Sequence, residues 1–365
     1  MKSYGTNRRI SSTELWTLMY VFMIASSMSL PIGYTTGHDS WISAVIGALL
    51  GLGIAWIYAA LSGTFPEQSI VHIAQALLGT WAGKAIGLLY AGYGFQLGAY
   101  VLRNFEDLTV TVLLPRTPSF VISFIMIAIS AWAAYKGIEV ICRCALIILI
   151  FVALQSVIFI VLLIPDMDPG FLLPVLEGGW QPILDGAAQI ATFPLGETVL
   201  FVMIIPFVNR GERIRKTVLS AVGVSGVLLI TSHLFNIMVL GELASKQVFP
   251  SYTSAMYISV GDFFERIEPI VFTVWVFGEF TKLTVCLFAA ALALAQTLGS
   301  RDYRMYVVPL ALALLELSLF LHPSQLDVIE FQQHVWPWFS VPFQVVIPFV
   351  LLVCALVRRR YRRLS

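Results

Sequence analysis

Ala25-Ser26-Ser27-Met28-Ser29-Leu30-Pro31-Ile32-Gly33 stands inside one apolar run, and Ala191-Thr192-Phe193-Pro194-Leu195-Gly196-Glu197-Thr198 stands inside another. Each places proline and glycine among small hydroxyl residues where the flanks are apolar. Proline has no amide to donate, and its ring clashes with the preceding turn. Each run therefore predicts a helix that is broken or kinked. If these runs cross a bilayer, the freed backbone groups are tolerated only where protein or a water-filled cavity receives them.

Composition says that they do cross one. Of 365 residues, 58% are hydrophobic and 12% charged, about half the charge that a soluble domain carries. Stretches of about 20 mostly apolar residues, enough for one span, recur along the whole chain. They fall at roughly 11–35, 41–62, 85–110, 119–136, 141–164, 185–208, 217–240, 269–297, 304–321 and 339–357. The expectation is an all-α integral membrane protein of about ten spans and a single domain, 1–365. The basic start before Leu15 is no cleaved signal, because its apolar stretch exceeds an h-region and many spans follow.

Lysine and arginine give the orientation. With both termini in the cytoplasm, 17 of the 22 basic residues lie on the inner side and four on the outer, with Lys282 inside a span. Missing or inventing one span would destroy that split. Trp41, Trp81, Trp132, Trp336 and Trp338 fall near span ends, where an amphipathic ring prefers the headgroup level. Two long outer loops, 165–184 and 241–268, carry apolar stretches expected to lie on a surface.

The interrupted spans are the first and sixth of ten, matching positions in two five-helix halves, roughly 11–164 and 185–357. Matched interruptions point to an inverted-repeat transporter architecture with its binding site near the bilayer midplane. Kinks made for packing alone would leave the same prolines.

Ionisable residues inside spans are costly and need a partner, water or neutralisation. Glu197 in span 6, Glu279 and Lys282 in span 8 and Glu316 in span 9 form this set. Glu279 and Lys282 are three apart and face the same side of a helix, which leaves Glu197 and Glu316 without an evident cation. Arg103, Glu106 and Asp107 read as a vestibule or an ion network, and His233 as a hydrogen-bonded packing residue. Tyr93, Leu97 and Tyr100 share one face of span 3.

Cys142, Cys144, Cys286 and Cys354 sit in apolar segments and suggest neither disulfides nor a metal site. No phosphate-binding loop, His–Glu metal motif or nucleophile–base pair is present. The expectation is a protein that is not an enzyme, with no cofactor, no metal and no nucleic-acid partner. The positive-inside bias, together with anionic membrane lipid, accounts for the basic tail.

Several stretches resemble the B subunits of bacterial spore germinant receptors, the endospore germination permeases. They are Ser29-Leu30-Pro31, Pro115-Arg116-Thr117-Pro118, Leu173-Pro174-Val175-Leu176-Glu177-Gly178-Gly179-Trp180, Phe193-Pro194-Leu195-Gly196-Glu197, and Glu265-Arg266-Ile267-Glu268 followed by Trp275. The resemblance implies the amino acid–polyamine–organocation superfamily and a LeuT-type 5+5 fold. It further implies an A subunit and a lipoprotein C subunit as partners, residence in the spore inner membrane, and a nutrient, often an amino acid, as ligand. Where the family tends to have a Gly-rich break, this chain has Ala25-Ser26-Ser27, a narrower site with more hydroxyls.

The expected ligand wall is Ala25, Ser26, Ser27, Tyr93, Leu97, Phe193, Pro194 and Gly196, beside a charge network of Glu197, Glu279 and Lys282. LeuT-type folds hold sodium between spans 1 and 8, and the Lys282 ammonium could replace that ion. A proton-coupled amino-acid transporter and a membrane scaffold without ligand are the competing readings.

Overall fold

Apolar runs without an internal proline fold as unbroken helices, since a helix satisfies its backbone groups within itself. The computed structural model describes residues 9–27, 30–257, 268–321 and 324–364 and, of residues 26, 27, 257, 268–270 and 360–364, the backbone alone. The α-helices in chain order are α1 (Ser12–Ser27), α2 (Ser40–Thr64), α3 (Ile70–Leu78), α4 (Thr80–Val112), α5 (Ser119–Lys136), α6 (Ile138–Leu163) and α7 (Trp180–Ile190). They continue with α8 (Ile214–Leu240), α9 (Pro250–Tyr257), α10 (Glu268–Leu298), α11 (Arg304–Phe320), α12 (Gln325–Glu330), α13 (Trp336–Val341) and α14 (Ile347–Leu364). Among the described residues, eight helical stretches are long and apolar enough to cross a membrane. α1 and α11, with 16 and 17 residues, stand where spans 1 and 9 are expected.

Span 1 is interrupted within the run 11–35, and the extent of span 10 needs correction. α1 stops at Ser27, Pro31 offers no donor, and Gly33 takes φ 76. That left-handed conformation suits glycine, which has no Cβ, and it turns the chain into a 3₁₀ turn, Tyr34–Asp39, that leads straight into α2. Span 10 is longer than expected, a composite over Gln325–Leu364 with π turns at Phe331–Val335 and Pro342–Val346. Pro337 and Pro342 cannot donate to the preceding turn, and extra residues are accommodated as π turns there. Trp336 is accordingly no headgroup anchor. It is 1% exposed and packs beside Tyr93, Tyr100 and Phe339. Trp81, Trp132 and Trp338 are exposed, as an interfacial ring would be.

Segments expected on the inner side meet one another. The Glu67 carboxylate, between α2 and α3, takes Arg9 Nη2 at 2.8 Å and Arg210 Nε at 2.7 Å. Ile10 bridges to the chain beyond span 6, its amide donating to Phe207 O and its carbonyl accepting from Asn209 N, both at 2.9 Å. Tyr303 Oη donates to Ala134 O, and Arg358 Nη1 to Ala76 O. The other end behaves likewise, with Leu176 N donating to both Asp39 carboxylate oxygens at 3.0 Å. Phe171, Leu173, Val175, Leu176 and Trp180 lie exposed along the 165–184 loop. In the second outer loop, Glu265, Arg266 and Ile267 lie outside the described residues.

Candidate functional site

Span 6 breaks where its proline predicts. α7 ends at Ile190, Phe193 leaves helical geometry with φ −136 and ψ 118, and Gly196–Met203 continues as a 3₁₀ helix. The break touches span 1 from both sides. Phe22 meets Phe201 edge-on at 5.2 Å, and Gly33 N donates to Gln189 Oε1 at 3.1 Å.

Two groups of side chains meet at residues 192–197. In the first, Lys282 of α10 places its ammonium 2.6 Å from Glu197 Oε2, both side chains fully buried. The same ammonium lies 4.2 Å from the Phe193 ring centre and 5.1 Å from that of Phe22. A cation over an aromatic face is attracted by the ring quadrupole, so spans 1, 6 and 8 converge on one charge. Ala25 closes this side against α10, where a Cβ on Gly278 would sit 3.0 Å from it. Glu279, one turn away, is also buried.

In the second group, Gln344 of the π turn in span 10 reaches into the break. Its Nε2 donates to Thr192 O at 2.9 Å and to Tyr93 Oη at 2.8 Å. Tyr58 Oη donates to Gly196 O at 3.0 Å and Gln344 O at 2.6 Å, and Tyr90 Oη to Phe343 O at 2.6 Å. The carbonyls freed by the two irregular segments are thus met by tyrosines and a glutamine. Gly196 leaves room for Gln344 here, since a Cβ would lie 2.1 Å from Gln344 Oε1.

Of the expected wall, Ala25, Tyr93, Leu97, Phe193, Pro194 and Gly196 are all buried; Phe193, Pro194 and Gly196 form the break, Tyr93 reaches it through Gln344, and Ala25 packs on Gly278 of α10. The side chains of Ser26 and Ser27 lie outside the described residues. The network is regrouped: Glu197, expected without an evident cation, is paired with Lys282 across spans 6 and 8. Glu316 faces outward, exposed on α11. Arg103 joins Glu106 at 3.3 Å and Asp107 at 3.2 Å, with Ser123 Oγ donating to Glu106 at 2.6 Å, an ion network toward the C-terminal end of α4. Gln344 and Tyr58 escaped the sequence reading, although an amide inside an apolar span was a visible signal.

The family described as spore germination protein matches residues 9–326. The chain belongs to it. As a germination permease it is 28% identical over 362 residues to spore germination protein KB of Bacillus subtilis, covering 98% of this chain and 97% of that one. It is 24% identical over 306 residues to spore germination protein YndE of the same organism, covering 80% and 82%. Two solved transporters share the fold. MHP1, a nucleobase-cation-symport-1 family transporter with bromovinylhydantoin bound, superposes with TM-score 0.73 at 15% identity, covering 99% of this chain and 82% of that one. MhsT in complex with L-phenylalanine gives 0.68 at 14%, covering 96% and 89%. This germination permease therefore has a LeuT-type fold, a multi-pass membrane subunit built like a transporter.

Proposed function

We propose that this permease is the B subunit of a germinant receptor and binds a small nutrient, an amino acid or similar molecule, at the interrupted helices near the bilayer midplane. One observation carries the reading. Glu197 Oε1 and Gln344 Oε1 are fully buried acceptors with no hydrogen-bond partner among the described residues, and both flank the break in span 6. A buried acceptor left unmade costs about 1–3 kcal/mol, so a ligand that brings donors, such as an ammonium, gains there. The positive end of the 3₁₀ segment that begins at Gly196 suits a carboxylate. L-Phenylalanine in the fold neighbour MhsT has both groups. The chain performs no covalent chemistry in this role; it senses. Its partners are an A subunit and a lipoprotein C subunit, and its place is the spore inner membrane with both termini cytoplasmic.

The test combines binding and response. Thermal shift of the purified chain against single amino acids identifies the ligand, and Ser27→Trp in spores abolishes the nutrient response at normal protein level. A full response in that variant would overturn the location. Transport is the second reading, favoured by the fold match, and uptake of the same labelled nutrient into liposomes separates it from sensing.

A further inference from the structure

His233 in α8 faces two backbone oxygens at once. Its Nδ1 lies 2.9 Å from Leu229 O on its own helix, and its Nε2 lies 2.9 Å from Ile32 O in the non-helical segment after α1. A neutral imidazole has one N–H and can serve only one of these acceptors. Its other nitrogen would then turn a lone pair toward an oxygen at hydrogen-bond distance. An imidazolium donates to both. The ring also lies flat on Tyr34, centroids 4.4 Å apart and planes 9° from parallel, and an aromatic face attracts a cation. Burial, at 4% exposed, works against a positive charge; the two oxygens and the aromatic face are what the site sets against it.

The titratable groups nearby are otherwise engaged. The Tyr34 hydroxyl accepts from Asn236 Nδ2 at 2.7 Å, and Asp39, at the far end of the same turn, holds the Leu176 amide. α2 and α9 carry no charged residue. Asp185 of α7 accepts from Gln181, Glu139 of α6 pairs with Arg143, and Lys282 of α10 pairs with Glu197 while Glu279 stands a turn before it.

We propose that His233 is a proton-binding site: in this conformation the imidazole holds two protons, and the second fastens α8 to Ile32 in the interrupted segment of span 1. The proton is taken from water and returned to it. When it leaves from Nε2, the contact with Ile32 O turns repulsive, and the turn at Leu30–Tyr34 is left tied to α8 through Tyr34 and Asn236. The grip on the interrupted segment thus follows pH whether or not the nutrient site is occupied.

Nitrogen NMR of the full chain in nanodiscs tests this, with His38, His72, His322 and His334 changed to glutamine so that His233 alone reports. The expected spectrum shows both ring nitrogens protonated at neutral pH, collapsing to one neutral tautomer as pH rises. If the fourfold variant does not fold, subtracting the His233→Gln spectrum from that of the unaltered chain isolates the same signal. A single neutral tautomer from about pH 5 to about pH 8 would overturn the proposal.

Discussion

Lys282 and Glu197 face each other at 2.6 Å across spans 6 and 8, with no part of either side chain exposed. Removing one member of a buried pair leaves an uncompensated charge and costs about 3–5 kcal/mol, whereas removing both together is often close to neutral. Lys282→Met should therefore lower the unfolding midpoint sharply, and Lys282→Met with Glu197→Gln should recover most of the loss. Denaturant or thermal unfolding in detergent measures both. A double variant no better than the single would show that Lys282 is held chiefly by other groups.

The position of that ammonium, between Phe22 of span 1 and Phe193 of span 6, leads to an ionic prediction. A fixed cation joining spans 1, 6 and 8 removes the need for a mobile one. Ligand binding and the germination response should be unchanged when sodium is replaced by choline. A tenfold or greater loss of affinity, about 1.4 kcal/mol, would refute the substitution.

Gly196→Ala should act through Gln344. The backbone at Gly196 is helical, φ −67, so alanine is acceptable to the main chain. Its Cβ would nevertheless collide with Gln344 Oε1, and overpacking of this kind costs about 1–3 kcal/mol. Shortening the partner in Gly196→Ala/Gln344→Ser should restore part of the stability. Rescue that fails would mean that the collision is relieved elsewhere.

Between α2 and α3, Arg210 and then Arg9 hydrogen-bond Glu67 and hold its carboxyl down to about 2, from an ordinary 4.5. A depressed acid contributes stability above its unfolded value and loses it as pH falls through the folded one. The tie should thus persist above about pH 4.5 and weaken between there and pH 2. Because the charges are exposed, salt should weaken it too. Hydrogen exchange at Ile10 and Asn209, measured against pH and salt, reports this directly, and Glu67→Gln should imitate the acid state at neutral pH.

Much of this architecture was legible because lipid imposes simple rules. Apolar length marked most of the spans, and proline with glycine marked both interruptions. What was not legible is non-local. A sequence shows that Lys282 and Glu279 share a helix face, but the choice of Glu197 depends on how two spans 85 residues apart pack. Ser12–Ser27 reads as the first half of a longer span, and where the chain goes after the interruption is set by the turn at Gly33, which leads it into Tyr34–Asp39. Trp336 and Gln344 were obscured by the π turns, which rotate span 10 away from the face that a uniform helix would present.

The bridge between Ile10 and Val208 also has a consequence for the order in which this protein is made. Arg9, which donates to Val208 O, lies 199 positions before it, and synthesis adds roughly 5–20 residues per second. The segment at Arg9 and Ile10 therefore waits on the order of 10–40 s for its partner to exist. During that interval Arg9 can pair with Glu67, but Ile10 has nothing to close upon. This late stitch belongs to residues made long before their partner, and an error there would come from the assembly schedule even where every helix is individually sound.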